Sequence, residues 1–387
     1  MASTAAVLPA VLAASACSSS SAGTASTAGA SAASGSLKQI NLGASSVAVT
    51  VGFANYAIGQ PLGCYAKAGY QLNIKTYPGT SNGLVVALQR GEANIASLGS
   101  DQFEQLQQTI SKSGSSLPLT AVYENAYPYH WGLAVKPGSS ISTIKDLVGK
   151  TVGVDTLGNS SVPLLKAMLK ANGVDPNSVK VTATGSGAPV GTALQTGKVD
   201  AIFTSDTTMG TILQDGINLQ FITVDGKTLY QDVAGVVIVA PTKSADSAMV
   251  QAFDKCTSEG NVFVQANPVA AAYLMLKQYP QLGSPGVSLS QQLAKLAFAL
   301  EVRERTMHSV DASVPYGGMN AQEFTDNLTL ELGLPASTLD ANSEFTNKPV
   351  PQLSSAEVQA IQKQAKDYKI PGLNGTVTLP SLPANTP

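Results

Sequence analysis

The stretch ALQRGEANIASLGSD, residues 87–101, returns in altered form as ALQTGKVDAIFTSD at 193–206. Both copies keep Ala-Leu-Gln, one residue, Gly, two residues, then Asn or Asp. A short apolar run follows in each, and Ser-Asp closes it. The physical reading is a helix stopped by a glycine in the left-handed conformation, a brief turn and a buried strand. Ser-Asp then falls at the strand's C-terminal end, where open α/β sheets form their ligand crevices. Two half-structures of this kind, each carrying hydroxyls and a carboxylate at such an edge, predict a cleft between two lobes.

The segments around the two copies alternate in type. SSVAVTVGF (45–53) reads as a strand, IGQPLGCYAKAG (58–69) as a short helix, YQLNIKTY (70–77) as a strand and GTSNGLVVALQRG as a helix. ANIASLG and SDQFEQLQQTISKS repeat the rhythm, which predicts parallel strands crossed by helices. LTAVYENAYPYHWGLAVKPG (119–138) reads as a long, mostly extended crossing segment, after which the pattern restarts. TVGVDT, VKVTATG, VDAIFTS and QFITVD are strands, separated by helices such as SSVPLLKAMLKANG and DTTMGTILQDG, and VAGVVIVAP (233–241) follows as a further strand. Beyond Pro241 four helical runs dominate, and the Pro-rich residues 371–387 read as a tail lying over the surface or fraying.

Length and composition narrow the function classes. A chain of 387 residues accommodates two lobes. Charged residues make up 12% and the formal net charge is −2, with no basic cluster, so nucleic acid is not an expected partner. No apolar run approaches the roughly 20 residues of a membrane-spanning helix.

Residues 1–36 read as a targeting segment and flexible linker rather than a domain. AAVLPAVLAASA has signal-peptide length, small residues lead to Cys17, and a Ser/Ala/Gly/Thr tract follows. The pattern resembles a bacterial lipoprotein signal, in which Cys17 would carry the lipid. Two departures stand against it: the first basic residue is Lys38, and Ala14 occupies the place where a Leu is usual. An ordinary secretory signal or a tail is the alternative. With Cys17 lipidated, Cys64 and Cys256 remain, either as one disulfide between an early and a late helix or as two buried free thiols.

Residues 141–206, with DLVGKTVGV, a helix ending in NGVDP and then ALQTGKVDA, resemble the ABC-transporter substrate-binding proteins for nitrate, sulfonates and thiamine-type pyrimidines. IGQPLGCYAKAGYQLNIKTYPGTSNGLVVALQRGEANIASLGSDQ resembles that family's first lobe, and FTNKPVPQL (345–353) its closing segment. The resemblance implies an α/β fold of the periplasmic binding protein type II class, two α/β lobes joined by two crossing segments. The crossings are expected near Tyr129–Gly132 and Val233–Val236. Lobe I would combine 38–130 with 234–370, and lobe II would span 131–233. The implied function is an extracytoplasmic solute-binding receptor, lipid-anchored and monomeric. It would capture a small organic solute by hinge closure and deliver it to an ABC permease and its ATPase. The resemblance does not carry the solute's identity.

Candidate contacts follow from position. Asn55 and Tyr56 come just after the expected first strand. Gly79, Thr80, Ser81 and Asn82 open a helix whose free N–H groups suit a polar oxygen, and Asn159, Ser160 and Ser161 hold the matching place in the second half. Ser100 with Asp101, and Ser205 with Asp206, either cap helices or face the cleft, where two carboxylates would favour a cationic or hydrogen-bond-donating ligand. Tyr129, His130 and Trp131 in YPYHWG could stack on a planar ring and hydrogen-bond its edge. His308, in a helical run beside Arg303 and Arg305, reads as packing.

Catalysis finds little support. HExxH spacing, GxGxxG and a phosphate loop with Lys are all absent, and no cofactor or metal site is expected. Two alternatives use the same fold: an enzyme like the thiamine-pyrimidine synthases, whose Cys-rich metal motif this sequence lacks, and a ligand-sensing input protein with a separate membrane partner.

Overall fold

A computed structural model of the chain describes residues 36–46, 48–77, 81–113, 118–127, 129–158, 160–223, 233–304, 307, 309–310 and 313–379. The expected targeting segment with Cys17, and Gly79, Thr80, Asn159, Arg305 and His308, lie outside the described residues.

Ten strands form two five-stranded sheets. They are β1 Lys38–Ala44, β2 Tyr70–Thr76, β3 Ile95–Gly99, β4 Leu119–Ala126, β5 Trp131–Val135, β6 Thr151–Val154, β7 Lys180–Ala183, β8 Ala201–Ser205, β9 Gln220–Ile222 and β10 Val236–Pro241. The first sheet runs β2-β1-β3-β10-β4 and the second β7-β6-β8-β5-β9. In both, the third strand pairs parallel with the second and antiparallel with the fourth.

Twelve α-helices accompany them among the described residues: α1 Ala54–Ala57, α2 Cys64–Lys67, α3 Ser81–Gln89, α4 Ser100–Ser113, α5 Ser161–Ala171, α6 Ala188–Gln195, α7 Asp206–Gln214, α8 Ala248–Ala266, α9 Pro268–Gln278, α10 Leu289–Glu304, α11 Ala321–Asp326 and α12 Ser355–Asp367.

The repeated motif occupies equivalent places. β3 and β8 are the central strands of their sheets, preceded by α3 and α6. Gly91 (φ 70°) and Gly197 (φ 74°) end those helices in the left-handed region, where a Cβ would be strained. The shared Asn or Asp has a mechanical role. Asn94 Oδ1 accepts from the Asn41 backbone N–H at 2.8 Å, and Asp200 Oδ2 accepts from that of Thr151 at 2.8 Å. The backbone N–H groups of Asn94 and Asp200 donate back to the carbonyls of the same two partners. Each turn is thus pinned to the neighbouring parallel strand.

Side chains alternate across both sheets as the pleat requires. On β10, Ile238 and Ala240 join one apolar core with Ile40, Leu42 and Ile95, while Val237 and Val239 join the core on the opposite face with Leu98 and Phe103. In the second sheet Leu133, Val152 and Phe203 face one core, and Ala134 and Ile202 the other.

The chain passes between the sheets twice. β4 ends in the first sheet at Ala126 and β5 begins in the second at Trp131; β9 ends in the second at Ile222 and β10 begins in the first at Val236. The two passages lie side by side, with the Tyr129 N–H donating to the Val233 carbonyl at 3.0 Å and the Gly235 N–H to that of Ala126 at 3.1 Å.

One expectation is corrected. The first strand is Lys38–Ala44, not 45–53. Val51–Phe53 form a 3-10 turn leading into α1, all of it buried. A short apolar run fits a buried helical turn as well as a strand, and its few residues do not separate the two periods. Residues 371–379 lie over the surface, one of the two expected arrangements, with Leu373, Val377 and Leu379 packed against the first core. Cys64 on α2 and Cys256 on α8 form a disulfide with a Cα–Cα distance of 5.7 Å, which selects the bonded alternative.

Candidate functional site

A cavity of about 580 Å³ opens where the C-terminal ends of the parallel strands of both sheets meet. That volume lies within the range of small-molecule sites. From the first sheet it is lined by Ser45 after β1, Ser97 on β3 and Asn125 on β4. From the second it is lined by Asp155 after β6, Ser186 before α6 and Ser205 at the end of β8. The two passages between the sheets contribute His130, Trp131 and Gly235. The lining is rich in hydroxyls and amides on an apolar frame, a surface suited to orienting a small polar solute.

Of the expected contacts, Tyr56, His130, Trp131, Ser160 and Ser205 line this cavity. Burial pushes the Tyr56 phenol up to about 12, against an opposing hydrogen bond from Ser97, so it serves as a neutral group. His130 is buried and pushed down to about 4, with nearby Asp206 opposing and Arg303 adding to that shift. It is therefore a neutral imidazole near pH 7, and its Nδ1 has no partner among the described residues. Trp131 leans on Phe203 at 6.2 Å and exposes part of its indole to the cavity.

Other expected contacts sit behind the wall. Tyr129 is buried and stacks on the His130 ring at 5.9 Å. Asn55 is buried and donates to Asn125 Oδ1, so it positions an amide that does line the cavity. Ser161 is buried within α5. Ser81 and Asn82 lie in α3, and only their backbone is described.

The two Ser-Asp pairs, read as either helix caps or cleft contacts, have both carboxylates behind the cavity wall. Asp206 is fully buried and bound by Arg303 Nη2 at 2.8 Å. Arg303 also donates to the Gly52 carbonyl at 3.2 Å, so it bridges the loop after β1 and the start of α7. Asp101 lies beneath the wall, close to Ser160, and burial raises it to about 6 while the Ser160 hydroxyl eases the shift. Neither carboxylate lines the cavity. The serines do not simply cap either: Ser100 donates to the Ala234 carbonyl at 2.6 Å, and Ser205 to Thr208 Oγ1 at 3.1 Å.

Below Asp101 the wall holds more carboxyls. Glu104 on α4 and Glu331 at the end of the π-turn Asn327–Glu331 are buried, with no hydrogen-bond partner among the described residues. Burial pushes Glu104 to about 10, helped by Glu344 and Asp101, and drives Glu331 well above the carboxylate range, helped by Asp101 and Glu104. Glu104 therefore keeps its proton at pH 7. The two halves meet closely here. A Cβ on Gly99 would sit 1.9 Å from Ser160 Oγ, and Gln102 Nε2 donates to the Gly158 carbonyl at 3.2 Å.

Sequence reading missed Arg303 and Asp155. Arg303 follows the mostly apolar run LAFALEV (296–302) of α10, a usable signal, but its partner is 97 positions away. Asp155 follows β6 directly, the same strand-end position that drew attention to Ser-Asp elsewhere.

No curated protein sequence matches the chain. Solved structures do. The periplasmic aliphatic sulphonate binding protein SsuA from Escherichia coli is 19% identical with a TM-score of 0.57, over 87% of this chain and 98% of that one. The alkanesulfonate-binding protein SsuA from Xanthomonas axonopodis pv. citri, bound to MOPS, is 16% identical with a TM-score of 0.56, over 81% and 100%. The periplasmic nitrate-binding protein NrtA from Synechocystis PCC 6803 is 10% identical with a TM-score of 0.53, over 84% and 86%. At such identities the likeness speaks for the fold, that of the periplasmic binding proteins. The sequence profile described as NMT1/THI5 like matches residues 50–271, more than half of the chain, and the protein therefore belongs to the NMT1/THI5-like family.

Proposed function

We propose that the chain is an extracytoplasmic solute-binding receptor of an ABC importer that captures a small organic solute and releases it unchanged. The observation that carries this is the cavity itself, lined by polar side chains from the strand ends of both sheets. A solute touching both halves stabilises their closed arrangement over an open one. In this reading lobe I comprises 38–130 with 234–370 and lobe II 131–233, and the two adjacent passages serve as the hinge. The solved proteins of like fold include binders of sulfonates and nitrate, which supports transport. The disulfide supports an oxidising compartment. Lipid attachment at Cys17, a monomeric state and delivery to a permease with its ATPase complete the proposal. A small aromatic or heterocyclic solute is preferred over a sulfonate, and both over nitrate, because the cavity far exceeds a four-atom anion.

A thermal-shift screen of the purified protein against pyrimidines, sulfonates, amines and oxyanions tests this. A ligand at a hundred times its Kd stabilises the native state by about 2.7 kcal/mol, a clear rise in midpoint. Saturable one-to-one binding with the solute recovered intact is the expected result. Turnover of a hit, or silence across the whole panel, would count against the receptor.

A further inference from the structure

The charges around the cavity do not balance. Among the described residues, three charged side chains line it: Lys295, Arg303 and Asp155. Lys295 Nζ is bound to Asp215 at 2.6 Å, and Arg303 Nη2 to Asp206 at 2.8 Å, so both cations are matched inside the protein. His130, which also lines the cavity, is neutral at pH 7. Asp155 has no cationic partner among the described residues.

Its placement is nevertheless well built. Asp155 is 9% exposed and sits at the C-terminal end of β6. The fully buried Thr204 on β8 donates its hydroxyl to Asp155 Oδ1 at 2.6 Å, and the Ser186 side chain offers a second hydrogen bond. Two hydroxyls therefore hold the carboxylate at the cavity wall without neutralising it. Burial raises it to about 6, with both hydroxyls opposing and favouring the ionised form. A carboxylate this deep is costly unless a positive or N–H-donating group meets it. None does so among the described residues, which leaves that place to the contents of the cavity.

We propose that the solute carries a protonated or N–H-donating nitrogen group, such as an amine, an amidine or an amino-substituted heterocycle, which docks on Asp155. This rests on the receptor reading above and names its substrate class. The partly exposed indole of Trp131 on the same cavity wall favours a flat or cationic body beside that group. An anion meets the reverse situation, facing an unbalanced carboxylate while the Arg303 guanidinium is engaged on Asp206.

Calorimetry on the full chain with two matched probe sets tests the proposal. Benzylamine, benzamidine and cytosine present nitrogen donors; benzyl alcohol, benzenesulfonate and 1,3-dimethyluracil are their counterparts without a basic, amino or N–H group. The proposal expects binding within the first set and at least tenfold weaker binding by Asp155→Asn, whose unliganded midpoint is not lowered. Should that variant fail to fold, Asp155→Ser serves the same purpose. Binding confined to the second set, or binding of the first set that is indifferent to Asp155 substitution, overturns the nitrogen-donor assignment and leaves the receptor reading standing. No binding by either set counts against both.

Discussion

Removing the Cys64–Cys256 disulfide should cost a large, calculable part of the stability. The bond closes a loop with a sequence separation of 192 residues. In the chain-entropy treatment a loop of that size removes roughly 18 cal/mol/K from the unfolded ensemble, or about 5 kcal/mol at 25 °C. The folded body spans Leu37–Pro387. At about 2.1 cal/mol/K per residue its unfolding entropy is about 0.7 kcal/mol/K, so the midpoint should fall by about 7 °C. The Cys64→Ala/Cys256→Ala variant, followed by circular dichroism on heating and in urea, measures this directly. Dithiothreitol should lower the wild-type midpoint to that of the variant and leave the variant unchanged. A midpoint that moves by less than about 2 °C would refute the argument, because a closed loop of this length cannot be released so cheaply.

The buried carboxyls predict an inverted pH response. Burial raises Asp101 to about 6, Glu344 to about 8 and Glu104 to about 10, so the native state holds protons that the unfolded chain releases. Their contribution is complete below the ordinary carboxylate range and is lost as pH rises through the native values. The unfolding midpoint should therefore drop between pH 5 and pH 9, with Glu104→Gln flattening the upper part; a midpoint that climbs over this interval contradicts the assignment. The Arg303–Asp206 pair should behave as a buried ion pair. Arg303→Met or Asp206→Asn alone should cost about 3–5 kcal/mol in urea unfolding, and the double variant clearly less than the sum. Additivity within about 0.5 kcal/mol would show that the two side chains are not coupled.

How far the sequence can be read depends on how local each cause is. The repeat at 87–101 and 193–206 was legible because its glycine stop, pinned turn and buried strand are all short-range features. The start of α4 at Ser100 and of α7 at Asp206 followed from it. The strand assignment at 45–53 failed because Val51–Phe53 is apolar for a different reason, burial in a helical turn within the first core. At the site, His130 and Trp131 were legible because aromatic groups with polar edges at a passage between sheets are unusual. The role of Asp206 stayed open in the sequence because its partner, Arg303, arrives from a distant helix. Asp155 was overlooked because its two hydroxyl partners, Thr204 and Ser186, come from other segments of the second half.

The position of β10 has a consequence for biosynthesis. Because Val236–Pro241 lies between β3 and β4, the first sheet exists only as a three-stranded fragment and a separate single strand until those residues leave the ribosome. The stretch that completes the second sheet, ending with β9, emerges earlier, although it begins later in the chain than β1 to β4. A nascent chain therefore finishes its inner half before its outer one, and for the span of that interval β3 and β4 each present an unpaired edge that a chaperone or another chain can engage.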